Sequence, residues 1–596
     1  MTETFEPVGE HDWRLAASAT GLLAEFNAAG LLSAADVHVA TRVAALGEEE
    51  DERVRLAVAL AVRAVRRGSV GLDLAAVPAI APELAWPEAE AWAAAVAASP
   101  LVAAGAVRWE LGLLYLDRYH RLETQVHADL EARLAQAAPG IDEARLDAAL
   151  ARVRGGRFSP EQEAAVAAAV RRRTTILTGG PGTGKTTTVA RLLALLADQA
   201  TGSTQRREGR LSIALAAPTG KAATRLQEAV AAEVAEVGET WPEVAALVGR
   251  LQGQTLHRLL GWRPDNATRF RHDRGNRLKY DVVVVDESSM VELTMMGRLL
   301  EALRPESVLV LLGDPQQLTS VGAGAVLGDL VAGYDGRPDS PVAALTRNFR
   351  STDDILALSV ALRAGDADTV VEVLRTPSDE VSWVDTSEEA EVEAALRPDS
   401  LRAARAVWAA AVAEQPALAI EELDRYRLLC AHREGPYGVR RWNQRVERWL
   451  AEEVDVDVHG PSYVGRPLLV TSNDYALDVY NGETGVVVQQ GDRRRAFVAG
   501  SGRLKEFAPG RLDAVETMHA MTIHKSQGSQ VERVTVLLPE ADSRLLTREL
   551  FYTAVTRAQQ HVRVVGSEAA VRAAVATRAL RATGLQQRLR ETGSAP

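Results

Sequence analysis

The chain has 596 residues, 47% apolar and 25% charged, with a formal net charge of −12 and a single cysteine, Cys430. That length exceeds what one core fills, so several domains are expected, and the balance excludes a disordered, collagen-like or repeat-array chain. One cysteine excludes a disulfide framework, a cysteine-built zinc site and an iron–sulfur cluster.

Residues 1–150 carry 12 Arg, no Lys and 23 Asp or Glu, a net of −11 that leaves −1 for residues 151–596. An acidic segment repels a polyanion, so a phosphate-binding surface belongs in the second part. Apolar spacing of three and four over 52–67 and 123–137 predicts a helical first 150 residues. There is no basic-then-apolar N-terminal signal. The longest uncharged stretch, 91–107, is mostly alanine and is broken by Ser99 and Pro100. No membrane span and a cytoplasmic location are therefore expected.

Gly155-Gly156 marks a joint. Short apolar runs at 174–177, 211–217, 282–285 and 308–312 then alternate with helical segments. Such alternation predicts a parallel sheet buried on both faces, hence an α/β class. A second set at 427–430, 534–538 and 561–565 predicts a second α/β unit. Residues 456–515, rich in Gly, Val, Asn and Asp, read as a small β insertion within it. The expected division is 1–150 helical, 151–346 first α/β unit, 347–455 with 516–596 second unit, and 456–515 insertion. The polar stretch 201–210 reads as a solvated loop and the acidic stretch 376–400 as surface. No internal repeat is present.

The run at 174–177 leads into Gly179-Gly180-Pro181-Gly182-Thr183-Gly184-Lys185-Thr186, followed by a helical segment from Thr187. Strand, G-x-x-x-x-G-K-T loop and helix together are the context a phosphate-binding loop requires. Gly180, Gly182 and Gly184 let the backbone turn its N–H groups toward a phosphate, with Thr183 and Thr187 beside them. Lys185 is placed to reach the β- and γ-phosphates, and the Thr186 hydroxyl to hold Mg²⁺. The run Val282–Val285 ends in Asp286-Glu287-Ser288-Ser289. A carboxylate at that strand end lies beside the phosphate loop, so Asp286 is assigned to Mg²⁺ and Glu287 to activating water. The chemistry expected is hydrolysis of a nucleoside triphosphate. Gln162, ahead of the loop, is a candidate reader of an adenine edge, and Gln317 in Gly313-Asp314-Pro315-Gln316-Gln317 a candidate γ-phosphate sensor.

Lysine is scarce: Lys185, Lys221, Lys279, Lys505 and Lys525 are the five, against 63 arginines. Three of them sit in motifs, where a compact point charge suits the task.

Further motifs are Arg347-Asn348-Phe349-Arg350, Met521-Thr522-Ile523-His524-Lys525-Ser526-Gln527-Gly528 and Tyr552-Thr553-Ala554-Val555-Thr556-Arg557. In order and content the set resembles the helicases of superfamily one, over about two-thirds of the chain. Ala217-Pro218-Thr219-Gly220-Lys221, Thr255-Leu256-His257-Arg258 and Asp286-Glu287-Ser288-Ser289-Met290 narrow the resemblance to the RecD type, the alpha subunit of exodeoxyribonuclease V. Residues from Gly465 to Gly485 are similar to that family's β insertion.

The resemblance implies two RecA-like parallel-sheet motor domains with ATP between them, a small SH3-like β insertion and a helical N-terminal domain that docks on a partner. It implies a 5′→3′ DNA helicase working with RecB-like and RecC-like subunits on single-stranded DNA and DNA ends in double-strand-break repair. Arg350 and Arg557 would act as arginine fingers once the cleft closes. Thr219, Gly220, Lys221, Thr255 and His257 in the first motor, with Thr522, His524, Lys525 and Ser526 in the second, are the DNA-binding candidates. Hydroxyls, N–H groups and a point charge suit sequence-independent grip on a phosphate backbone. Trp262 is a candidate to stack on a base. None of the residues two before the five lysines is acidic, so the acid-x-lysine pattern of metal-dependent nucleases is missing and DNA cutting falls to a partner. A stand-alone helicase of RecD type and an ATP-switched scaffold remain the alternatives.

Overall fold

In the computed structural model the described residues are 5, 9, 11–137, 139–153, 158–201, 211–248, 251–263, 266–320, 322–349, 353–454, 458, 460–474, 476–500, 503–543, 545–579 and 581–593. The Gly155-Gly156 joint, residues 202–210 of the polar loop and Arg350 lie outside them.

Strand Val282–Val285 is β-branched throughout and wholly buried, which favours an extended backbone packed on both faces. It lies inside a six-stranded parallel sheet in the order Val342–Leu345, Thr174–Gly179, Val308–Gly313, Val282–Val285, Ile213–Ala217, Gly253–Thr255. All four apolar runs predicted for this unit are strands. The second parallel sheet has the order Val381–Val384, Ala558–Val565, Val531–Leu537, Tyr426–Cys430, Ala520–Thr522. Between Tyr426–Cys430 and Ala520–Thr522 the chain leaves to build a five-stranded antiparallel sheet, ordered Arg503–Phe507, Arg493–Gly500, Thr484–Gln490, Pro467–Val470, Val515–Thr517. The architecture is α/β, with two parallel sheets flanked by helices, a small antiparallel insertion and a mainly helical N-terminal region.

In that N-terminal region, helix Glu52–Arg66 buries every residue from Leu56 to Arg63 at its centre. A three-stranded sheet of Gly71–Asp73, Leu113–Leu116 and Val107–Glu110 completes it, which helical spacing did not foretell. The uncharged stretch is spent on helices Ala89–Ala97 and Pro100–Ala103, and no described helix is long and apolar enough to cross a membrane.

Two boundaries differ from the expected division. Helix Asp117–Leu134 packs on Leu293–Ala302 of the first parallel unit, with Leu122, Val126 and Leu130 in one apolar cluster with Ile176, Met296 and Leu299. Helix Glu143–Val153 packs on Lys185–Thr201. Both therefore belong to the first unit's flank, because an apolar stripe says that a helix is covered without saying by what. The chain's last helix, Leu585–Gly593, packs on Val326–Gly333 and Asp117–Leu134, not on the second sheet that precedes it. The stretch 376–400 is likewise less superficial than its charge suggests: Val381 is an edge-strand residue and Leu396 a buried helical one.

Candidate nucleotide and DNA sites

The phosphate loop leaves strand Thr174–Gly179 and enters helix Lys185–Thr201. Gly182 and Gly184 have φ of 84° and 78°, the left-handed region that a side chain makes costly. Lys185 Nζ donates to the carbonyls of Gly179 at 2.6 Å and Gly180 at 2.9 Å. Thr183 Oγ1 donates to Gly180 O, and Thr187 Oγ1 to Glu233 on the neighbouring helix.

The loop forms one wall of a cleft of about 760 Å³. Gln162, Gly182, Thr183, Gly184, Lys185, Thr186, Thr187, Asp286, Glu287 and Gln317 line it from the first unit; Phe349, Gly528, Gln530 and Arg557 line it from the second. Of the expected nucleotide residues, Gly180 is outside the lining but in the loop. Asp286 caps strand Val282–Val285, and its Oδ1 accepts from the Glu287 N–H at 2.8 Å. Burial, then the charge of Glu287, raises the Asp286 pKa. Two adjacent carboxylates held in a buried cleft are stabilised by a cation. Glu287 itself sits at φ 51°, ψ 41°, a backbone region a non-glycine residue occupies only when its surroundings enforce it.

Arg557 is 3% exposed, and burial pulls its pKa down while Glu287 opposes that effect. Its Nε donates to Thr553 O at 3.1 Å and its Nη1 to Ser529 O at 3.3 Å. Gln317 Nε2 donates to Asp314 at 3.3 Å, whereas Gln317 Oε1 is buried without a hydrogen-bond partner among the described residues. Gln162, in the cleft lining, also has contacts within the protein. Its Oε1 accepts from Ser159 N in a helix-capping box and its Nε2 points at the Thr183 and Gly184 carbonyls, so the amide braces the loop. Leu256–Leu260 and Gly220–Thr240 are capped by Thr255 and Thr219, whose Oγ1 atoms accept from Arg258 N and Ala222 N.

A second cavity of about 200 Å³ gathers Thr219, Lys221, His524 and Lys525 with Asn481 and Gly482 of the insertion. Gly220 lies beside it, where a Cβ would approach Tyr480 Cβ to 3.3 Å. Thr255, His257, Thr522 and Ser526 are not in that lining. His257 instead packs on the Phe270 ring at 5.8 Å, Thr522 Oγ1 accepts from Lys525 N, and Ser526 donates to Ile523 O at 2.7 Å. Burial lowers the pKa of both His257 and His524, which disfavours their charged forms. Lys221 lies 3.6 Å from Asp424 of the second unit, and Lys525 donates to Glu516 at 2.9 Å. Trp262 stands in a two-stranded hairpin with 266–270.

Three participants escaped motif reading. Arg225 lines the cleft and donates across it to Gly528 O at 2.8 Å and Gln530 Oε1 at 3.2 Å. Its place four residues after Lys221, on the same helical face, was the available signal. Arg191, 5% exposed, stacks on Phe158 at 4.4 Å, and its buried Nη1 has no hydrogen-bond partner among the described residues. Asp424 has no motif around it at all.

The chain matches the AAA domain family over 162–323, the UvrD-like helicase C-terminal domain over 517–565 and the N-terminal domain of RecBCD enzyme subunit RecD over 28–113. It is 53% identical over 569 residues to the RecBCD enzyme subunit RecD of Mycobacterium tuberculosis H37Rv, covering 94% of this chain and 95% of that one. To the same subunit of Mycolicibacterium smegmatis it is 54% identical over 546 residues, 91% and 94% of the two chains. To the ATP-dependent RecD2 DNA helicase of Deinococcus radiodurans it is 31% identical over 482 residues, 79% of this chain but 58% of that one. With the phosphate loop, the acidic strand end and the facing arginine in one cleft between two parallel sheets, the chain belongs to the RecD family of superfamily 1 ATP-dependent DNA helicases.

Proposed function

We propose that this helicase is the 5′→3′ translocating subunit of an exodeoxyribonuclease V complex of RecBCD type, acting with RecB-like and RecC-like partners at DNA ends in double-strand-break repair. The observation that carries this is nearly end-to-end similarity to RecBCD subunits, the N-terminal match over 28–113 included. The RecD2 DNA helicase relative is spanned over only 58% of its length, which favours the complex-forming branch.

ATP binds with its phosphates on the loop and Lys185. Mg²⁺ would be held by the Thr186 hydroxyl and the Asp286 carboxylate, which line the same cleft and are the hard-oxygen donors this ion takes. The ion would neutralise charge on the phosphates. Glu287 orients and deprotonates the attacking water, and Arg557, joined by Arg350, stabilises transition-state charge. Gln317 relays phosphate occupancy to the second unit through Asp314. Thr219, Gly220 and Lys221 flank the strand from the first unit and His524 and Lys525 from the second, with Thr255, His257, Thr522 and Ser526 holding the elements around them, so closing and opening of the cleft advances the chain along DNA. DNA cutting falls to a partner.

ATP turnover of the purified chain, with and without single-stranded DNA, tests the motor, with Lys185→Gln as control. Unwinding of 5′-tailed but not 3′-tailed duplexes is the expected outcome; unwinding from the 3′ tail overturns the direction. Co-purification with RecB-like and RecC-like chains of the same organism tests the assembly, and a chain that stays monomeric beside them would sink it.

A further inference from the structure

One hydroxyl group joins the two sides of the nucleotide cleft. Tyr552 lies on helix Arg548–Val555 of the second unit, 2% exposed, and its Oη donates to Asp314 Oδ2 at 2.8 Å. That same oxygen accepts from Gln317 Nε2 at 3.3 Å. The phosphate loop is close enough that a Cβ added to Gly180 would sit 3.2 Å from Tyr552 Oη. The next residue repeats the link, since Thr553 Oγ1 accepts from Leu318 N at 2.8 Å. Gln527 Nε2 closes it from the other motif by donating to Leu318 O at 2.5 Å. Arg557 lies two residues past this helix and is held to it through Thr553 O.

Burial and the Asp314 carboxylate both raise the phenol pKa, so Tyr552 stays a donor at any physiological pH. A hydrogen bond from a buried hydroxyl to a carboxylate is short and strong, and it is costly to break without a replacement. Asp314 in turn ends strand Val308–Gly313, which pairs with the strand that carries the phosphate loop. The chain of contacts therefore runs from the loop's own sheet, through Asp314, to the helix that presents Arg557.

We propose that Tyr552 is a positioning residue for hydrolysis: its bond to Asp314 sets where helix Arg548–Val555 stands against the phosphate loop, and so where Arg557 enters the cleft, a role that rests on Arg557 stabilising charge as proposed above. Without the hydroxyl the nucleotide still binds, because the loop and Lys185 are untouched. The arginine is then misplaced, and a small misplacement of a group that acts only in the transition state lowers turnover rather than affinity.

The test compares Tyr552→Phe, Asp314→Ala, the double variant and Arg557→Ala, by steady-state ATP turnover at saturating single-stranded DNA and by binding of a fluorescent ATP analogue. Tyr552→Phe is expected to lower kcat about tenfold, with KM for ATP and analogue affinity within twofold. The double variant is expected to be no slower than Asp314→Ala, since Asp314→Ala already removes the Tyr552 bond along with those from Gln317 Nε2 and Gln316 N. Analogue affinity also shows that each variant is folded, and Asp314→Ala removes the bond from its other end should Tyr552→Phe fail to fold. A Tyr552→Phe kcat within twofold of wild type beside a crippled Arg557→Ala overturns this proposal alone. A rise in KM at unchanged kcat, or losses that multiply in the double variant, overturns it as well. An Arg557→Ala chain of normal kcat overturns the arginine's assignment instead.

Discussion

Asp329 shows what a single buried carboxyl does to this chain. It is 7% exposed on helix Val326–Gly333, its Oδ2 has no hydrogen-bond partner among the described residues, and burial pushes its pKa up to about 8. The folded state thus keeps a proton that the unfolded state releases near pH 4. That contribution to stability is complete below about pH 4 and falls by about 1.4 kcal/mol per pH unit until the folded group ionises near pH 8. Asp329→Asn cannot ionise and escapes the loss. Denaturant unfolding of both chains at pH 5 and pH 9 should show the variant gaining relative to wild type at the higher pH; a gap that does not change with pH would contradict it. Lys185, Asp286 and Glu287 could be picked out as candidates at this scale from sequence because each motif is contiguous and its geometry local, and the fold brings all three to one cleft. The environment that sets a pKa is not local, and Asp329 had no signal in its own neighbourhood.

At the scale of elements, the C-terminal helix Leu585–Gly593 is held by polar contacts as much as by packing. Leu585 and Leu589 are fully buried, each worth about 2 kcal/mol. Arg588 donates two bonds to Glu110, both at 2.9 Å, and its Nε reaches the wholly buried Glu123 at 3.1 Å. Arg588, then His120, holds the Glu110 pKa down to about 2. Gly584, ahead of the helix, packs so closely that a Cβ would lie 2.3 Å from Tyr115 Oη. Arg588→Ala leaves Glu123 with neutral donors only, from Tyr115, Thr583 and Gly584. An uncompensated buried charge costs about 3–5 kcal/mol. Hydrogen exchange should quicken over both this helix and Asp117–Leu134; exchange at the wild-type rate would show that packing alone suffices. Helix and strand identities were readable from periodicity and β-branching. Where this helix docks was not, since its apolar spacing suits any complementary surface.

Across the whole molecule, the two parallel units are bridged by side chains of one helical face. Lys221 faces Asp424 at 3.6 Å, and Arg225 reaches Gly528 and Gln530. Burial lowers the Lys221 pKa and Asp424 opposes that; on the proposed role of Lys221 in gripping the DNA backbone, Asp424 would compete with a phosphate for it. Asp424→Asn should tighten single-stranded DNA binding about threefold at low salt and steepen its salt dependence, as one more cation becomes available for counterion release. Fluorescence anisotropy across a salt series checks this; unchanged affinity and slope would remove Lys221 from the DNA path.

The order of motifs, the α/β class and the chemistry of the phosphate loop were determined by the sequence itself, through glycines, β-branched runs and adjacent carboxylates that act over a few residues. The partners of those groups were decided by the tertiary structure. Asp314 meets Tyr552 across 238 positions, Arg225 meets Gly528 across 303 and Glu123 meets Arg588 across 465. A polar side chain taken out of water must be paired with whatever group folding brings beside it, and no local pattern in the chain encodes which group that is.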